Sequence, residues 1–180
     1  MEQKKQRINV KDWIIISTTM IGVNLTILAL IWQESPTKGI YTATLFLMLS
    51  FILFINCVSA NSKANFELQS ENASEEKVMK FVSFAEYSFG LGFTLIIIGF
   101  SILSYKYLQD FIGSDNITVL VIPSAFLITA WIMIFIYNSI NYSGKAFKGI
   151  RSIKRNLWMI MELICLVLIF LDFFNLIVIP

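Results

Sequence analysis

The stretch LWMIMELICLVLIFLDFFNLIVIP, Leu157 to Pro180, is apolar throughout except for Glu162, Asp172 and Asn175. About 20 predominantly apolar residues cross a bilayer as a helix, and this run exceeds that length. It reads as one uninterrupted span that carries two acids. Working outward, four more stretches meet the same test: 13–32, 40–60, 84–105 and 117–140. With 57% hydrophobic residues and a mean hydropathy of +0.73, the 180 residues carry more apolar surface than one soluble core can bury. The expected fold class is an all-α integral membrane protein, a single transmembrane domain over residues 1–180 built as a bundle of five transmembrane helices.

Trp13 and Trp32 bracket the first stretch as interfacial anchors, with basic residues only on its N-terminal side. The stretch is about twice as long as a signal peptide's apolar core and lacks a small-residue cleavage site, so it is read as retained. The 14 Lys and Arg residues divide unevenly between the two ends of the spans. Lys4, Lys5, Arg7 and Lys11 precede the first span, Lys63, Lys77 and Lys80 follow the second, and Lys145, Lys148, Arg151, Lys154 and Arg155 precede the last. Only Lys38 and Lys106 fall on the other side. The positive-inside rule then sets the N-terminus in the cytoplasm and the C-terminus outside, with the cell membrane as the expected location.

Gln33-Glu-Ser-Pro-Thr-Lys-Gly39 joins two apolar runs through Pro and Gly, which predicts a helical hairpin of spans one and two. The segment from Asn61 to Lys80 is the most polar in the chain, and Asn72-Ala-Ser-Glu75 resembles a helix-starting cap that leads straight into span three. In the second inner loop, Phe147, Ile150 and Leu157 share one helical face with Lys148, Arg151 and Arg155 beside it, a pattern suited to an interfacial helix whose basic side chains meet lipid headgroups. The plainer reading is an orientation signal. Pro123 reads as the start of span four, where its missing N–H costs little.

The composition narrows the chemistry. The chain has no His, which removes the commonest general base, the usual haem ligand and most zinc sites. Cys57 and Cys165 are too far apart in sequence for a C-x-x-C pair and read as apolar packing residues. Neither a phosphate-binding glycine loop nor a nucleophile elbow is present. No enzyme activity, cofactor, metal or nucleic-acid partner is expected; the partners in view are the lipid bilayer and either further copies of the chain or another membrane subunit.

Small residues mark packing faces. Ala85, Ser88, Gly92 and Gly99 form a stripe on span three, and Thr18, Gly22, Thr26 and Ala29 form a similar one on span one, so these two spans are candidates for close approach, to each other or across subunits. Glu86 points away from the stripe and is expected to reach the interface, bond to Lys80 or face a cytoplasmic vestibule.

An ionisable group in hydrocarbon costs several kcal/mol, roughly 2.5 to 3.5 on insertion scales, and therefore marks a water path or a partner. Glu162 stands about 8 Å into the last span, and Asp172 is about ten residues deeper. No Lys or Arg lies within the five predicted spans, so each acid should be protonated, hydrogen-bonded, hydrated or paired with another chain. Candidate internal partners are Asn24 and Ser17, Asn56 and Ser59, Ser124 and Thr129, and Asn175 beside Asp172.

The order of Ala85-Glu86-Tyr87, Val121-Ile-Pro123 and Phe135-Ile-Tyr137-Asn-Ser-Ile140 faintly resembles the calcium-release-activated Orai channels over spans two to four. The first span here has no acid to serve as that family's outer ring, and a fifth span is added, so the resemblance assigns no family. The leading expectation for function is a small cation channel or transport subunit in which Asp172 and Glu162 line a hydrated path. The alternative is a non-catalytic assembly or regulatory subunit whose acid meets a partner's span.

Overall fold

A computed structural model of the protein describes residues 10–33, 39–70, 74–114, 116–141 and 153–180. Among them the chain is all-helical: α1 (Val10–Ile31), α2 (Ile40–Leu68), α3 (Glu75–Ile112), α4 (Thr118–Asn141) and α5 (Ile153–Phe173). Three helical segments, Val10–Ile31, Ile40–Gln69 and Glu75–Ile112, are long and apolar enough to cross a bilayer. At 38 residues, α3 is about 57 Å long and outruns the hydrocarbon core by nearly twofold.

The cross-links fix how the helices run. Ser17 meets Cys57 and Asn24 meets Leu47, so α1 and α2 are antiparallel neighbours, as the Pro/Gly link predicts. The next hairpin closes with Gly99 against Leu47, Gly92 against Phe54, and Glu67 against Lys77. By contrast, Gly90 packs on Trp158 while Lys106 meets Asp172, so α3 and α5 run parallel. Gly39, at φ 88 in the left-handed region, turns the chain into α2, and Ser74 stands at the N-cap of α3. Asn72 lies outside the described residues.

Several boundaries differ from the sequence reading, each for a local reason. The helix in the last apolar run begins at Ile153 and stops at Phe173. Asn175 adopts φ 57 there, its N–H donates to Asp172 O at 3.0 Å, and Leu176 N–H donates to Leu171 O at 2.9 Å. This is the Schellman arrangement with Asn in the left-handed position, and it sends the last residues back along the bundle. At its other end α2 runs on to Leu68, because Glu67 bonds Lys63 at 3.4 Å and Lys77 at 2.7 Å and ties the helix end to the start of α3. Pro123 lies inside α4, not at its start; the cap is Asn116, whose Oδ1 accepts from Thr118 N–H at 3.0 Å.

The small face of α3 receives α2, not α1. A Cβ at Gly92 would stand 3.3 Å from Leu53 Cβ, and one at Gly99 3.4 Å from the Ala43 carbonyl, so the two backbones approach as only small residues allow. Ala85 joins the same contact against Cys57 and Ala60, and Ser88 is buried nearby. Among the described residues nothing stands within 4 Å of where a Gly22 Cβ would be, so none of them packs against it. α1 gives α3 an aromatic contact, Trp13 edge-on to Phe89 with ring centroids 5.1 Å apart, and an aliphatic one, Val10 in a cluster with Val78 and Val82.

Candidate functional site

The inward face of α5 carries Glu162, Cys165, Ile169 and Asp172, spaced i, i+3, i+7 and i+10, and all four are buried. The two acids therefore point into the bundle at two levels. Their surroundings differ completely.

Asp172 is 5% exposed and closed on all sides. Its Oδ2 accepts from Lys106 Nζ at 2.7 Å and from the Tyr105 hydroxyl at 2.7 Å, and its Oδ1 accepts from Ile179 N–H at 2.7 Å. The last contact exists only because the turn at Asn175 returns the backbone to the carboxylate. Lys106, 4% exposed, also donates to Gln109 Oε1 at 3.2 Å and lies 5.2 Å from the Tyr105 ring centre. Gly39 covers the lysine stem, since a Cβ there would collide with Lys106 Cγ. Beside them the Pro180 carbonyl accepts from Thr42 N–H at 3.3 Å and Oγ1 at 2.6 Å. The start of α2, the end of α3 and the tail after α5 are thus clasped around one neutral ion pair.

The expectation that no basic residue neutralises Asp172 is corrected by this geometry. Lys106 sits one residue beyond the predicted end of span three, yet α3 continues to Ile112 and carries the ammonium inward. Asn175 is not the side-chain partner of Asp172 either; it is exposed and shapes the helix end.

Glu162 is 1% exposed, and its Oε2 accepts from Trp131 Nε1–H at 2.6 Å, which joins α5 to α4. Among the described residues no Lys or Arg lies within ion-pair distance of it. Four of the other candidate partner groups are engaged elsewhere. Asn24 Nδ2 donates to Leu47 O at 2.8 Å, Ser17 Oγ to Cys57 Sγ at 3.1 Å, Ser124 Oγ to Leu120 O at 2.7 Å and Thr129 Oγ1 to Ala125 O at 2.8 Å. Glu86 is exposed on α3, and Lys80 pairs with Glu76 at 2.7 Å instead.

Lys145, Lys148 and Arg151 lie outside the described residues, as do the side chains of Lys154 and Arg155 in the first turn of α5. Tyr105, Lys106, Trp131 and the amide of Ile179 are the partners that sequence reasoning missed. Only Lys106 left a signal, as a cation at the edge of a span opposite most of the others. Among the described residues no three His, Cys, Asp or Glu side chains gather as around a metal ion. The chain matches no protein-family model, no curated protein and no solved structure.

Proposed function

We propose that this chain is a five-span protein, N-terminus cytoplasmic and C-terminus outside, that acts as a non-catalytic assembly or regulatory subunit in the cell membrane. The carrying observation is the closure of Asp172. A carboxylate that already accepts from Lys106, Tyr105 and Ile179 has little capacity left for a passing cation, and with its lysine it adds no net charge to a path. The ion pair instead holds three segments in one arrangement. The parallel course of α3 and α5 supports the odd span count, because α4 must return the chain between them.

The faces that α4 and α5 turn outward are apolar. Ile160, Leu163, Ile164, Val167 and Leu168 face outward from α5, and Ile128, Ile132 and Met133 from α4, available to lipid, a second copy or another subunit's span. A second reading, a cation or proton path, is favoured by one observation, the lack of a described cationic partner for Glu162.

The discriminating experiment is gentle extraction of the tagged protein from its native membrane, with mass and composition read together. A stoichiometric foreign membrane subunit supports the assembly role. A closed homo-oligomer whose flux in reconstituted bilayers falls on Glu162→Gln overturns it in favour of the path.

A further inference from the structure

Between the end of α1, the start of α2 and the last turns of α3 lies a cavity of about 600 Å³. That volume is in the range of single small-molecule sites, about 300 to 1,000 Å³. Leu30, Ile31, Phe100 and Leu103 make its apolar part, and Leu30 and Phe100 are themselves exposed, so it opens on an apolar outer side of the bundle. Its polar groups are Gln33, just after α1, and Ser104, Lys106, Tyr107 and Asp110 in order along α3. Ser104 and Lys106 come first, and Asp110 stands one turn further toward water, about 6 Å beyond Lys106.

Lys106 has three protons and gives two of them to Asp172 and Gln109. The third, with the Ser104 hydroxyl, is left for an anionic oxygen in the cavity as a hydrogen bond, since Asp172 already balances the Lys106 charge. Asp110 then presents a carboxylate on the water side of that oxygen. A ligand that satisfies both has an apolar chain, a phosphate at the depth of Lys106 and a cationic group beyond it. A headgroup with phosphate alone would leave its negative charge beside Asp110 without compensation.

We infer that this cavity is a binding site for a zwitterionic phospholipid, its phosphate at Lys106 and Ser104, its ammonium at Asp110 and its chain along Leu30, Ile31 and Phe100. The order of charges along α3 carries the assignment, and it holds whichever membrane face that end of α3 meets. The site is separate from the subunit role proposed above and stands without it.

The test uses the purified full chain in detergent, titrated with short-chain phosphatidylethanolamine and, separately, phosphatidylglycerol, with occupancy read by native mass spectrometry. The expected preference for the ethanolamine lipid is about fivefold, the scale of one partly exposed charge pair. Asp110→Asn should abolish the preference, Asp110→Lys should reverse it, and Ser104→Trp, which fills the cavity, should lower occupancy by both lipids. Circular dichroism identifies variants that keep their helices, and with three variants at surface-accessible positions the assignment does not hang on one of them. Equal retention of both lipids by the unsubstituted protein, or a preference that survives Asp110→Lys, overturns it.

Discussion

Lys106 and Asp172 stand 66 positions apart in the chain and 2.7 Å apart in the fold, both nearly excluded from solvent. Removing one partner of a buried pair leaves the other charge uncompensated, at a cost of about 3 to 5 kcal/mol, whereas replacing both with apolar residues is often close to neutral. Asp172→Asn and Lys106→Met should each be strongly destabilising, and Lys106→Met with Asp172→Leu should be milder than either. Unfolding in detergent followed by circular dichroism measures all three. A double variant as damaged as the sum of the singles would show that the pair does not act as a unit.

Gly39 and Gly22 make a matched contrast. At Gly39 a side chain meets both a left-handed backbone and the stem of Lys106, so Gly39→Ala should lose at least about 1 to 2 kcal/mol. At Gly22 nothing stands near the added methyl group, and Gly22→Ala in the middle of α1 should gain about 0.5 to 1 kcal/mol. The same unfolding assay reads both, and a Gly22→Ala loss would place a neighbour against α1.

The helices were legible because their signals are local. Apolar length marks the helices, Pro and Gly mark the first hairpin, and the Asn72-Ala-Ser-Glu75 motif lies where α3 begins, although the N-cap is Ser74. The acids were legible as unusual, but their partners were not. Lys106 reads as a boundary charge because hydropathy ends span three at Tyr105, while α3 continues for seven residues to Ile112. Ile179 reaches Asp172 through a backbone amide, which no side-chain pattern reports. The reversal did have a sequence signal: Asn175, the residue type other than Gly that most readily takes the left-handed position, follows the last helical turn. The small stripe on α3 was visible as a packing face, but a stripe does not name its partner, and the partner is α2.

Asn24 links α1 to α2 through its Nδ2, while its Oδ1, like Ser50 Oγ on α2, is buried without a partner among the described residues. Asn24 Nδ2 donates across the seam between the two helices to Leu47 O at 2.8 Å, and interhelical bonds of this kind in membranes contribute about 0.6 kcal/mol on average and up to about 1.7. Ser50 Oγ is fully buried without a partner among the described residues. Asn24→Ala should therefore destabilise within that range, while Ser50→Ala should be neutral or stabilising, since it removes an unsatisfied buried group. Parallel unfolding curves that rank the two in the opposite order would reassign the seam.

Trp131 and Glu162 offer a way to separate structure from charge. Trp131→Phe keeps an aromatic ring but removes the only N–H shown to reach Glu162 Oε2, leaving a carboxyl that is 1% exposed short of a donor, a loss of about 1 to 3 kcal/mol. Glu162→Gln removes the ionisable group yet leaves an amide oxygen that can still accept from Trp131. Hydrogen exchange over 118–133 should therefore quicken in Trp131→Phe and stay near the unsubstituted rate in Glu162→Gln. If both variants quicken alike, α4 is held by the carboxylate charge and not by the hydrogen bond. If Glu162→Gln leaves exchange unchanged, any change it brings in flux or subunit retention comes from the lost acid and not from a loosened helix, which makes it the cleanest substitution for deciding between path and assembly.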